Sequence, residues 1–147
     1  MSSYVNFFVE RKGVYIPIAD YSRSNPMYQI LSHMVPYENV TEFDEALYHS
    51  AIEEFDEKIE EYEKCIERYE REIAHIAKIE GPSFNEKLQY IAENEGGIEE
   101  CKEEIEMLKA QKFTLGIIDR MRDKWSGVKV WVGVEVSERT LNNEPEE

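Results

Sequence analysis

Glu72-Ile73-Ala74-His75 has the Glu-x-x-His spacing that places a carboxylate and an imidazole on one side of a helix. Carboxylate-bridged di-metal bundles use that pattern twice, with two further glutamates, all directed inward. Here the later helical stretch has no histidine, and Ile73 claims the apolar seam, which leaves His75 on its flank. Glu45, His49 and Glu53 recur at i, i+4 and i+8, a spacing that could hold a divalent ion weakly, but in so glutamate-rich a chain coincidence accounts for it. Cys65 and Cys101 fall in two different helical stretches. Folding the chain about Gly81-Pro82 puts Cys65 near Ile98 and Cys101 near Tyr62, about a turn apart and too far for a relaxed disulfide, so both read as small core residues. No serine, cysteine or lysine has a base and an orienting group beside it, and no glycine-rich loop follows a strand. The expectation is a non-enzymatic chain with no catalytic residue, cofactor or metal.

Charge is the stronger signal. The 147 residues carry 32 Asp and Glu against 17 Lys and Arg, a formal net charge of −15. Such a balance repels nucleic-acid phosphates and anionic membranes and favours basic protein surfaces. Between Glu42 and Glu80 there are 14 acids and 5 bases, with Glu53, Glu54, Asp56, Glu57, Glu60, Glu61 and Glu63 along one flank. One reading is a solubilising outer face, with Glu60 and Lys64 and Glu67 and Arg71 paired at i, i+4. The other is a surface that presents carboxylates as duplex DNA presents phosphates and so competes for a basic groove.

The element that carries this flank is set by its apolar residues. Ile52, Ile59, Ile66 and Ile73 stand seven apart, and Tyr48, Phe55, Tyr62, Tyr69 and Ile76 fill the positions between. The alternating four-three spacing predicts a left-handed supercoil. Thr41-Glu42-Phe43-Asp44 reads as the start of this helix and Gly81-Pro82 as its end. Ser83-Phe84-Asn85-Glu86 then fits a capping box for a second long helix, carrying Leu88, Ile91, Ile98, Cys101, Ile105, Leu108, Leu115 and Ile118 and ending near Trp125. Two arms of similar length around a break predict an antiparallel helical hairpin, each arm burying its stripe on the other. Nine seam residues at about 1.5–3 kcal/mol each when fully buried stabilise it, whereas an isolated arm is marginal in water. The second arm is less regular. Glu95 and Lys112 interrupt its stripe, and Gly96-Gly97 costs about 2 kcal/mol relative to alanine, so the helix either kinks or breaks there. Tyr62 and Tyr69 face this weak zone, where a second copy of the chain could cover them, which points to a homodimer.

The ends of the chain read as strands. Val5, Phe7 and Val9, then Val14, Ile16 and Ile18, alternate as a hairpin with an even loop, either a two-residue Lys12-Gly13 turn or a four-residue loop ending at Gly13, with Phe7 facing Ile18 and Val9 facing Ile16. Pro17 cannot donate to a ladder, so its strand either lies at an edge or stops there. Asn25-Pro26 opens a short helix with Met27, Ile30, Leu31 and Met34 on one stripe, stopped by Pro36. Val128, Val130, Val132, Val134 and Val136 form one face of a last strand. The expected fold is therefore α+β: a long antiparallel helical hairpin (coiled coil), with a three-stranded antiparallel sheet and one short helix at its open end. Residues 1–137 read as one domain (1–36 and 127–137 sheet and short helix, 37–126 hairpin), followed by a disordered acidic tail at 138–147. The sheet's second face would hold Tyr4, Phe8, Tyr15 and Trp131, either an exposed aromatic contact patch or a face covered by the short helix or a second subunit.

No basic leader and no apolar run of bilayer length is visible, so the chain reads as a cytoplasmic protein with reduced thiols. In size and composition alone it resembles the small acidic accessory proteins that phages make against bacterial defences, some of which act as nucleic-acid mimics. That resemblance implies an inhibitor or adaptor. The leading expectation is an acidic coiled-coil binding protein that engages a basic, nucleic-acid-binding protein through the α-helical flank and the aromatic face. A dimeric structural adaptor without mimicry and a nucleotide sponge built on the aromatic face are the alternatives.

Overall fold

The computed structural model describes residues 4–124 and 128–136. The readings of an acidic tail at 138–147 and of a helix end at Trp125 lie outside them. The elements run β1 (Tyr4–Arg11), β2 (Val14–Ser22), α1 (Pro26–Leu31), β3 (Val40–Glu42), α2 (Glu45–Lys78), α3 (Phe84–Lys124) and β4 (Lys129–Val134). The fold is α+β, with a four-stranded antiparallel sheet in the order β2-β1-β4-β3 and two long helices paired as a hairpin. The chain divides into two compact units. Met1–Phe55 with Gln111–Glu147 forms the first, and Asp56–Ala110 forms the second.

In the first unit, β1 and β2 turn through Lys12 and Gly13 at φ 54° and 80°, the two positive values of the I′ turn that matches strand twist. Val9 pairs with Ile16 as expected. Phe7 does not face Ile18: a bulge between Phe7 and Phe8 shifts the register, so Phe7 pairs with Ala19 and Phe8 with Pro17. Proline cannot donate to the ladder, and β2 lies at the sheet edge where that is tolerated.

The sheet has four strands where three were expected. Val40, Thr41 and Glu42, read from sequence as the approach to a helix, pair with Gly133, Val132 and Trp131. The second edge of β4 is apolar and β-rich, and a β-branched Val-Thr segment satisfies its backbone groups better than solvent does. The Phe43 N–H extends the ladder to the Val130 carbonyl at 2.8 Å. The helix start consequently moves to Asp44, whose Oδ1 accepts from the Leu47 N–H at 2.8 Å. α1 opens as expected, with Asn25 Oδ1 accepting from Met27 N–H at 2.8 Å and Pro26 following, but it ends at Leu31, well before Pro36.

Val5, Phe7, Val130, Val132 and Val134 from the sheet and Met27, Ile30 and Leu31 from α1 are buried in the core of this unit. Phe43, Ala51, Phe55, Leu115 and Ile118 join them. Phe7, Phe43 and Tyr48 pack edge to face in sequence, with ring centroids 5.6 and 6.1 Å apart. Tyr48 reaches across to α3, its hydroxyl 3.6 Å from where a Cβ on Gly116 would stand. Val136 does not continue the valine face. β4 ends at Val134, Glu135 takes φ 54°, and the Val136 side chain folds against Gly133.

In the second unit, α2 ends at Lys78 and Gly81 takes φ 117°. Ser83 Oγ then accepts from the Glu86 N–H at 3.2 Å to cap α3. α3 does not break at Gly96-Gly97 but runs as one helix of 41 residues. Gly97 has a packing role. A Cβ there would stand 2.7 Å from Tyr69 Cζ, so the missing side chain admits the tyrosine ring against the α3 backbone. The α3 backbone thereby covers part of the Tyr69 ring, which stays half-buried, as does Tyr62. A Cβ on Gly96 would meet open space.

Candidate functional site

Three features carry chemistry. The first is the acidic flank of α2. Glu53 and Glu54, at the end of the first unit, are exposed and half-buried, and Asp56, Glu57, Glu60, Glu61 and Glu63 of the second unit are all exposed. The seam residues Phe55, Ile59 and Ile76 are buried, so the helical period that turns them inward turns these carboxylates outward. Glu60 pairs with Lys64 at 3.2 Å, while Glu57, Glu61 and Glu63 have no basic partner among the described residues. From Asp56 to Ala110 the sequence has 17 acids and 8 bases, a formal charge of −9.

The second feature is the far face of the sheet in the first unit. Phe8, Tyr15 and Trp131 come together, Phe8–Tyr15 at 6.1 Å and Tyr15–Trp131 at 5.8 Å between ring centroids, both edge to face. Phe8 is only 2% exposed, and Tyr4, Tyr15 and Trp131 are half-buried. Phe8, Tyr15 and Trp131 pack on one another, and Tyr15 and Trp131 keep part of their surface open. Burial raises the Tyr15 phenol above its ordinary pKa, and Glu10, its cross-strand partner, adds to the shift. The Trp131 indole N–H is shielded and has no hydrogen-bond partner among the described residues.

The third feature escaped the sequence reading. A cleft of about 560 Å³ opens at the turn end of the second unit. Tyr69 and Tyr90 give it aromatic walls, and Ile76, Ile79 and Pro82 an aliphatic one. Glu72, Glu93 and Asn94 complete the lining. Its origin is a gap in the α3 stripe. The half-buried side of α3 runs Ile91, Asn94, Gly97 and Ile98, so two small or polar residues stand where the seam elsewhere holds Ile or Leu. Glu95, which the sequence suggested as the interruption, is exposed and lies off the seam. The usable signal was Asn94 and Gly97 three apart at seam spacing.

The other candidates resolve as follows. His49 Nε2 lies 3.5 Å from Glu45 Oε1 on an exposed surface, and His75 is exposed. Among the described residues no three His, Cys, Asp or Glu side chains converge on one point. Cys65 and Cys101 are both free thiols. Cys65 Sγ accepts from Arg68 at 3.3 Å, and burial, then the nearby Cys65, raises the Cys101 thiol above its ordinary pKa. Tyr62 is raised too, by burial first and then by Glu104 and Cys101. Among the described residues no helix is long and apolar enough to cross a membrane. No family model, curated protein or solved structure matches the chain.

Proposed function

We propose that this chain is a non-enzymatic acidic binding protein whose second unit engages a protein with a basic, nucleic-acid-binding surface. The observation that carries the reading is the outward row Glu57, Glu60, Glu61 and Glu63, in which Glu60 alone has a basic partner among the described residues. Carboxylates left unneutralised along a helix attract a cationic groove, speed encounter and select against acidic partners. The inhibitor or adaptor role proposed from size and composition follows, since an occupied basic groove is closed to nucleic acid. Competition tests it: duplex DNA should displace this chain from its partner, in proportion to DNA concentration. Simultaneous binding of DNA and this chain to one partner would contradict it.

A second reading, a dimeric adaptor, draws on exposed apolar side chains of α3. Phe84 and Leu88 stand one turn apart at 75% and 49% exposure, and Phe113 and Ile117 repeat the spacing. Light scattering should then give twice the chain mass, and replacing Phe84 and Leu88 with serine should return the monomer. A wild-type chain that stays monomeric through the micromolar range would remove this reading.

A further inference from the structure

We propose that the cleft at the turn end of the second unit is an anchor pocket for an arginine side chain of the basic partner. The inference rests on the proposed function and names the residues that would give it specificity, which a row of exposed carboxylates lacks.

The walls and the rim ask for different things, and a guanidinium on an alkyl stem supplies both. Tyr69 and Tyr90 line the cleft, and aromatic rings attract a planar, weakly hydrated cation. Ile76, Ile79 and Pro82 offer a surface for three methylenes. Glu72 and Glu93 lie in the lining without an ion-pair partner among the described residues, and no lysine or arginine lines the cleft. Two carboxylates reject an anion, and a purely apolar guest would desolvate them without compensation. Asn94 donates through Nδ2 to the Tyr90 carbonyl at 2.8 Å, which leaves its amide oxygen to accept. A fork of five N–H donors matches carboxylates and an amide oxygen better than the compact ammonium of lysine does. The cleft is within the size range of binding pockets, about 300–1,000 Å³.

The test is a nuclear magnetic resonance titration of the full chain with a glycine-serine peptide bearing a single arginine. Parallel arms use the same peptide with lysine, and with citrulline, which keeps the shape and removes the charge. The arginine peptide should shift the amides of Tyr69, Ile76 and Asn94 saturably, lysine more weakly and citrulline not at all. The Glu72→Gln, Glu93→Gln double variant should weaken the arginine peptide about tenfold or more. Asn94→Leu should weaken binding by removing the amide acceptor and placing an apolar side chain in the cleft while the thermal midpoint rises, a loss that unfolding does not explain. Glu103→Gln with Glu106→Gln, exposed on α3 and outside both the cleft and the α2 flank, should leave the peptide affinity unchanged. The pocket is overturned if citrulline binds as well as arginine, if the shifts fall only along the outer flank, or if Asn94→Leu binds as the wild type does. A partner whose salt-sensitive binding survives all the cleft variants would sink the anchor and leave the acidic flank standing. A partner indifferent to salt and to flank neutralisation would sink the flank reading itself.

Discussion

The two units of this chain spend their apolar residues differently. In the first, Val5, Phe7, Phe43, Phe55, Leu115 and Val132 are fully buried, and aromatic rings meet edge to face from Phe7 to Tyr48. In the second, Ile59, Ile76, Cys101, Ile105 and Leu108 are buried, but Tyr62, Ile66, Tyr69, Ile73 and Ile98 remain partly exposed. Charge divides the opposite way. The second unit has net −9 in 55 residues, leaving −6 for the other 92. A pair of helices has only one stripe each to bury, so most of its surface stays in water and can be charged at little cost in stability. A sheet capped by a helix buries whole side chains and can afford few charges near them. The first unit concentrates the buried core, and the second concentrates charge on its surface.

The contrast can be broken most easily by truncating a core aromatic. Phe43→Ala should destabilise by about 3–5 kcal/mol, the range for buried phenylalanine. Tyr62→Ala, at a half-buried seam position, should cost at most about half of that. Urea titrations of the two variants decide it, and equal losses would mean the seam is as tightly packed as the sheet core.

A finer test separates the paired glycines. Gly96→Ala adds a methyl group in open space and should stabilise by about 1 kcal/mol through helix propensity alone. Gly97→Ala makes the same propensity gain but must push the Tyr69 ring aside, so the net change should be zero or unfavourable. Equal stabilisation by both would remove the packing role given to Gly97.

Both units should contribute to the alkaline limb of stability, the first through Tyr15, Tyr21 and Tyr28, whose phenols burial raises, and the second through Cys101 and Tyr62. Cys101 and Tyr62 are both raised by burial, so the folded chain holds these protons more tightly than the unfolded chain does. Their contribution is complete below the ordinary thiol value of about 9 and is lost as pH rises through the raised folded values. Thermal midpoints should hold steady to about pH 8 and fall above it, less steeply in Cys101→Ala. An identical slope in that variant would assign the fall elsewhere. The smallest effect belongs to the surface pair: Lys64→Gln should change stability by no more than about 0.5 kcal/mol, because both partners are largely solvated.

Much of this was legible in the sequence because period and punctuation are local properties. The seven-residue spacing from Tyr48 to Ile76, the Gly81-Pro82 break and the Ser83 cap gave the helical hairpin. Val130, Val132 and Val134 gave a strand, and the alternation about Gly13 gave an even loop, which the register closes as two residues. The errors came where a distant partner outweighed the local signal. Thr41 carries a helix-cap side chain, but the free edge of β4 recruits it as a strand. The bulge at Phe7/Phe8 and the reversal at Val136 likewise depend on neighbours that alternation alone does not specify. Of the site, the acidic flank could be read directly from spacing. The cleft could not, because it is a missing volume: Asn94 and Gly97 look like lapses in a stripe until Tyr69 and Tyr90 are seen beside them.

The most direct test of acidic recognition is the affinity of the partner recovered with this chain, measured at about 50 mM and about 500 mM salt. The wild type is compared with a variant carrying Gln at Glu57, Glu60, Glu61 and Glu63. The wild type should lose more than about tenfold in affinity over that range, and the variant should already bind that weakly at the lower salt. Equal affinity for both proteins at both concentrations would contradict the account.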